Sequence, residues 1–143
     1  MEQQKNVLHT RMLKFLNNKV NSPSSTNKIQ FEHPGSMEDI SGLLALKTPV
    51  FFYKHSPRCS VSLFVMRRLN SVKVHPSERW AYIDVISQRS LSLALAETTE
   101  IRHESPQLIL WNNGQVAAHA SHDRVNEEMV NEWRKAHHLA EQV

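Results

Sequence analysis

The chain has 143 residues, of which 17 are Lys or Arg and 14 Asp or Glu, with three glycines and one cysteine, the composition of one globular domain rather than of a disordered or collagen-like chain. One cysteine excludes an internal disulfide, a dithiol site within the chain and a zinc site built on several thiolates, leaving a single free thiol that suits a reducing compartment. The net charge of +3 is local, because residues 1–28 hold Lys5, Arg11, Lys14, Lys19 and Lys28 against Glu2, and the remainder carries 12 basic and 13 acidic residues, so no nucleic-acid-binding domain is expected.

The N-terminus starts Met-Glu-Gln-Gln-Lys, with no apolar h-region or small-residue cleavage site, and the expected address is cytoplasmic. Leu8, Met12, Phe15, Leu16 and Val20 recur at three- and four-residue steps, the pattern of an amphipathic helix. The polar run Asn21–Asn27 then reads as a linker, so residues 1–28 form an appendage to a domain over 29–143. Ile29–Phe31 reads as a short strand. Ser36, with Asp39 three residues on, marks a helix start, and Ile40, Leu43, Leu44 and Leu46 give that helix its inward face. Pro49–Tyr53 is nearly all apolar, as in a central strand covered on both faces.

Ser60–Leu69 has Val61, Phe64, Val65 and Leu69 at helical spacing, Trp80–Ile86 reads as a strand, and Leu91–Ile101 as a helix with Leu91, Leu95 and Ile101 in the core. Gln107–Trp111 and Gln115–Ala120 flank Asn112-Asn113-Gly114, a hairpin signal, because Asn-Gly tolerates the positive φ of tight turns. Val125, Met129 and Trp133 mark a final helix. The longest apolar runs, Val50–Tyr53 and Leu108–Trp111, fall far short of the roughly 20 residues of a spanning helix, so no membrane partner is expected. Strands alternating with helices imply parallel pairing, and the terminal hairpin adds an antiparallel edge. The expected fold is α/β: a thioredoxin-like three-layer α/β/α arrangement around a mixed sheet, plus the N-terminal helix.

Cys59 follows the central strand after Lys54-His55-Ser56-Pro57-Arg58 and opens a helix. Free backbone N–H groups and the positive end of the helix dipole stabilise a thiolate there. Residues 40–77 contain no acid, while Lys54, His55 and Arg58 lie within five positions of the sulfur, so its pKa is expected below that of free cysteine. A lone cysteine can equally be a buried, inert small hydrophobe. Ser62, one turn on, is placed either to hydrogen-bond the thiolate or to be a solvated helix-start serine, and His55 either to tune the thiolate or contact substrate, or simply to be exposed. Nine histidines offer no strong metal spacing: His119 and His122 straddle a strand end, and the adjacent His137 and His138 cannot face one ion together.

The run Lys54-His55-Ser56-Pro57-Arg58-Cys59-Ser60-Val61-Ser62 resembles the Lys-His-Ser-x-x-Cys-x-x-Ser signature of the monothiol bacilliredoxin family. Tyr82-Ile83-Asp84-Val85, Arg102-His103-Glu104-Ser105-Pro106-Gln107 and His119-Ala120-Ser121-His122 are similar to the family in content and order, so the resemblance spans about residues 29–135. It departs at Ser60, where the family often has proline, and at Asp123, where an aromatic residue often stands. The resemblance implies a thioredoxin fold in which Cys59 exchanges thiols, with bacillithiol as low-molecular-weight co-substrate, no tightly bound cofactor, and S-bacillithiolated proteins as clients. It further implies that Pro106 is the cis-proline facing the cysteine, that the backbone beside Ser105 offers strand-like hydrogen bonds to a docked peptide or thiol, and that Lys54, His55, Ser56, Arg58 and Ser62 stabilise the thiolate or bind substrate.

Two other function classes compete. Monothiol glutaredoxins share an iron–sulfur cluster between two chains, but this chain has Ser60 and Val61 where they carry their pattern and lacks a downstream Gly-Gly pair. The basic segment before residue 29 is a candidate docking arm for an acidic partner, a membrane surface or nucleic acid, although its five basic residues are few and its apolar stripe suits packing on the domain or on a second copy in a homodimer.

Overall fold

A computed structural model of the chain describes residues 28–139. The expected N-terminal helix lies outside them. Helix α1 (Met37–Leu44) starts as the sequence suggests: the Ser36 hydroxyl accepts the Asp39 N–H at 3.2 Å, and the Asp39 carboxylate accepts the Gly35 N–H at 2.9 Å. Ile40 and Leu43 are buried, with Leu44 and Leu46 packed beside them.

Strand β1 (Val50–His55) is buried at all six positions. Helix α2 (Ser60–Leu69) leads from it to β2 (Arg79–Asp84), helix α3 (Arg89–Thr99) follows, and β3 (Gln107–Asn112) and β4 (Gln115–Ser121) form the hairpin. A 3₁₀ turn over His122–Arg124 precedes helix α4 (Glu127–Ala136). The sheet order is β2-β1-β3-β4, so β1 is central. Strand alternation sends Phe51 and Tyr53 toward α2 and α4, where they meet Val65, Leu69 and Val130, and sends Val50 and Phe52 toward Ile40, Leu43, Leu91 and Leu95 of α1 and α3. The result is the three-layer α/β/α fold that the alternating pattern implies. Asn113 and Gly114 take φ of 51° and 77°, the doubly left-handed turn that Asn-Gly favours.

Several expectations need correction. The strand at Ile29–Phe31 reduces to a single parallel bridge between Glu32 and Ala81. Strand β2 stops at Asp84, whose carboxylate accepts the N–H groups of Ile86 and Ser87 and turns the chain, leaving Ile86 exposed. Antiparallel pairing is not confined to the edge: β3 pairs antiparallel with the central β1. Helix α3 ends at Glu100 in the left-handed region, and residues 101–106 return the chain to the end of the sheet where β1 finishes, so that Gln107 pairs with Lys54. Finally, Val61 and Phe64 do not join the core. The inward face of α2 is Ser62, Val65 and Leu69.

Candidate functional site

The site lies where β1 runs out. The Cys59 N–H donates to the Ser56 carbonyl at 3.2 Å, closing the Ser56–Cys59 turn, and the Cys59 carbonyl accepts the Leu63 N–H at 3.2 Å, which makes Cys59 the N-cap of α2. Its thiol is partly exposed. A helix start leaves its first N–H groups without carbonyl partners, and here they serve the sulfur. The Ser62 N–H holds the thiol below its ordinary pKa, with help from the Val61 N–H and the Ser62 hydroxyl and against the cost of desolvation.

Ser62 is fully buried, and its hydroxyl oxygen accepts the Ser56 N–H at 3.2 Å, which leaves its proton free to point at the sulfur. Tyr53 supports the same turn from below by donating to the Ser62 carbonyl at 3.2 Å. The Tyr53 oxygen is 2.9 Å from His55 Nδ1, and both bonds form together when Nδ1–H donates to the phenol. His55 is thus a buried second support rather than an exposed loop residue, and burial lowers its pKa against the opposing pull of Asp84. Burial likewise raises the Tyr53 pKa, with the charges of Tyr82 and Cys59 adding to it, so the phenol keeps its proton.

Lys54 does not behave as its nearness in sequence suggests. It points to the other face of the sheet, where its ammonium donates to the Ser92 carbonyl at 2.9 Å and lies 3.2 Å from His103 Nδ1. Burial pushes its pKa down to about 8. The Ser92 hydroxyl is also 3.3 Å from His103 Nδ1, so Lys54 and Ser92 together tie the 101–106 segment to α3. His103 must offer Nδ1 unprotonated to accept the ammonium, and burial first, then Lys54 and Arg89, lower its pKa against Glu104. The thiolate therefore owes its depressed pKa to the helix start and not to Lys54 or His55. Arg58, next to the cysteine, is exposed.

Ser105–Pro106 is a cis peptide, and the Pro106 carbonyl accepts the His122 N–H at 2.8 Å. The register of β3 on β1 places this pair at the same end of the sheet as Cys59. The Ser105 hydroxyl is buried without a hydrogen-bond partner. Tyr53, Ser92 and His103 were absent from the sequence-based site. Tyr53 had a signal, because it lies two residues before His55 and so shares its strand face. Among the described residues no cluster of three or more His, Cys, Asp or Glu is placed to hold a metal ion, and no helix is long and apolar enough to cross a membrane.

The profile of the monothiol bacilliredoxin BrxC family matches residues 29–130, the helix start, the cis-proline segment and the hairpin included. The chain belongs to the monothiol bacilliredoxin family. This membership makes thiol redox chemistry its class of function. Solved structures agree on the fold. A protein described as an oxidoreductase with a thioredoxin fold is 24% identical over 71% of this chain and 91% of its own, with a TM-score of 0.65. The Malassezia sympodialis thioredoxin is 11% identical over 77% of this chain and 92% of its own, at 0.62. The thioredoxin of Trypanosoma brucei brucei is 10% identical over 86% and 100%, at 0.60. The helix of the site is capped by Cys59 and carries serine, not a second cysteine, at the third position after it.

Proposed function

We propose that this bacilliredoxin removes bacillithiol from S-bacillithiolated client proteins through Cys59. The observation that supports it most is the sole cysteine at the N-cap of α2, partly exposed and served by the N–H groups of Ser62 and Val61 and by the Ser62 hydroxyl. The Cys59 thiolate attacks the bacillithiol sulfur of the client's mixed disulfide. The bond between that sulfur and the client breaks, the client cysteine leaves as a thiolate that takes a proton from solvent, and Cys59 carries bacillithiol as a new mixed disulfide. A second thiol from outside the chain then attacks that disulfide and returns Cys59 to the thiolate, because Ser62 cannot resolve it.

The free guanidinium of Arg58 and the acid-free run around the cysteine suit the carboxylates of bacillithiol. The backbone beside Ser105 is the second wall against which the thiol or the client strand lies. A lone thiol of this kind works in a reducing cytoplasm, where it is not lost to random disulfides. The test is intact mass after mixing the protein with a bacillithiolated client: Cys59 gains one bacillithiol and the client loses one. Cys59→Ser keeps the fold and transfers nothing. Full activity in that variant overturns the proposal. A visible absorption band after anaerobic cluster reconstitution, without thiol transfer, favours the cluster-binding alternative.

A further inference from the structure

The outward face of α2 carries an apolar surface that the thiol chemistry itself does not use. Val61, Leu63 and Phe64 are 38%, 49% and 59% exposed, directly after Cys59. At 3.6 residues per turn Phe64 sits between Val61 and Leu63 on that face, and Arg67 and Arg68 follow one turn further on. The Arg67 guanidinium lies 5.9 Å from the centre of the Phe64 ring, so cation and ring form one surface. Water-exposed clusters of this kind, rimmed by charge, mark interaction sites.

The charge of the face decides its occupant. Helix α2 has no acidic residue, and Arg58 stands at its Cys59 end. On the turn that packs against it, Asp123 is the one acid, beside Arg124, and its backbone carbonyl accepts from Arg68 at 3.1 Å. A second copy presenting the same face would bring arginine onto arginine, and residues 1–28 of this chain carry a net charge of +4. Both are repelled where an acidic partner is drawn in.

We infer that the Val61–Leu63–Phe64 face with Arg67 and Arg68 docks the client protein, through an apolar side chain next to the client cysteine and acidic residues flanking it. The inference rests on the thiol-exchange reading and adds client selection to it: small disulfides reach Cys59 without the face, proteins by way of it.

The test uses two bacillithiolated peptides, both with leucine beside the cysteine, one with flanking glutamates and one with lysines in their place. The acidic peptide transfers its bacillithiol to the full-length protein on the order of tenfold faster at low salt, and the preference shrinks as salt rises. Phe64→Ser slows both peptides, Arg67→Glu removes the preference for the acidic one, and neither variant alters the reaction with the small symmetric disulfide of bacillithiol. Equal rates for the two peptides, or variants slowed equally toward the small disulfide, overturn the inference while leaving thiol exchange intact. The acidic peptide with serine for cysteine separates the two claims, because its binding, read from amide shifts at Val61, Leu63 and Phe64, needs no chemistry. Shifts without any exchange uphold the docking face and sink the exchange reading. Self-association or binding to anionic vesicles that maps to these residues in place of the peptide contradicts the inference.

Discussion

The Ser62 hydroxyl accepts from the Ser56 N–H and, with the N–H groups of Ser62 and Val61, lowers the pKa of Cys59. Ser62→Ala therefore loosens the turn and removes one stabilising donor from the thiolate. Alkylation at neutral pH is expected to slow by about three- to tenfold, the value of one hydrogen bond to a charged group after partial rearrangement. A pH–alkylation profile checks this, and an unchanged midpoint would mean that the backbone donors alone set the thiolate. Lys54→Met makes the opposite case: the ammonium lies on the far face of the sheet, so the Cys59 profile stays where it is. Instead the variant changes stability. The Lys54 pKa is about 8 folded against an ordinary 10.5, so wild-type protein gains stability as pH rises through that window, and Lys54→Met lacks the gain. Denaturant midpoints of both proteins across the window measure the difference.

At the level of elements, α4 is fastened to the start of β2 by charge. Arg134 meets the almost wholly buried Glu78 carboxylate at 2.7 and 2.8 Å, and the Trp80 indole N–H donates to the same carboxylate at 3.2 Å. Arg134→Ala strands that carboxylate in the interior, and a loss of about 3–5 kcal/mol is expected from denaturant unfolding, with Arg134→Lys losing less. A loss below about 1 kcal/mol would show that water replaces the guanidinium.

The elements also show what a sequence discloses. Helix starts at Ser36 and Cys59 and the turn at Asn113-Gly114 were legible because short-range hydrogen bonds and φ preferences decide them. The inward face of α2 was not. Val61, Phe64, Val65 and Leu69 fit a helical stripe, but the Ser62 hydroxyl has to reach the Ser56 N–H, and that turns Val61 and Phe64 outward. Nor could nearness in sequence place Lys54, whose partner His103 is 49 positions away. The alternation of β1 sets it opposite Tyr53 and His55, but Lys54 and His55 lie beyond the apolar run Pro49–Tyr53 and so read as loop rather than strand.

The molecule as a whole couples its site to pH through two histidines at one end of the sheet. Burial lowers the pKa of His55 and of His103 beneath the ordinary 6.5, so the unfolded chain binds more protons as pH falls through that value. Their contribution is complete above pH 6.5 and is lost on acidification below it. Protonation also removes the Nδ1 acceptor that His103 offers to Lys54, so the 101–106 segment loosens with the same titration. Hydrogen exchange at acid pH is expected to rise in residues 101–106 before it rises in β1, and simultaneous opening of both would speak against this coupling.

The proposal that one thiolate at the start of α2 carries bacillithiol away from proteins is open to a direct check by intact mass spectrometry. Reduced full-length protein is mixed with a bacillithiolated client at a series of pH values. One bacillithiol on Cys59 and a freed client thiol are expected, with a rate that has levelled off at a pH below the ordinary thiol pKa. An unmodified Cys59 beside a still bacillithiolated client, at every pH, would contradict it.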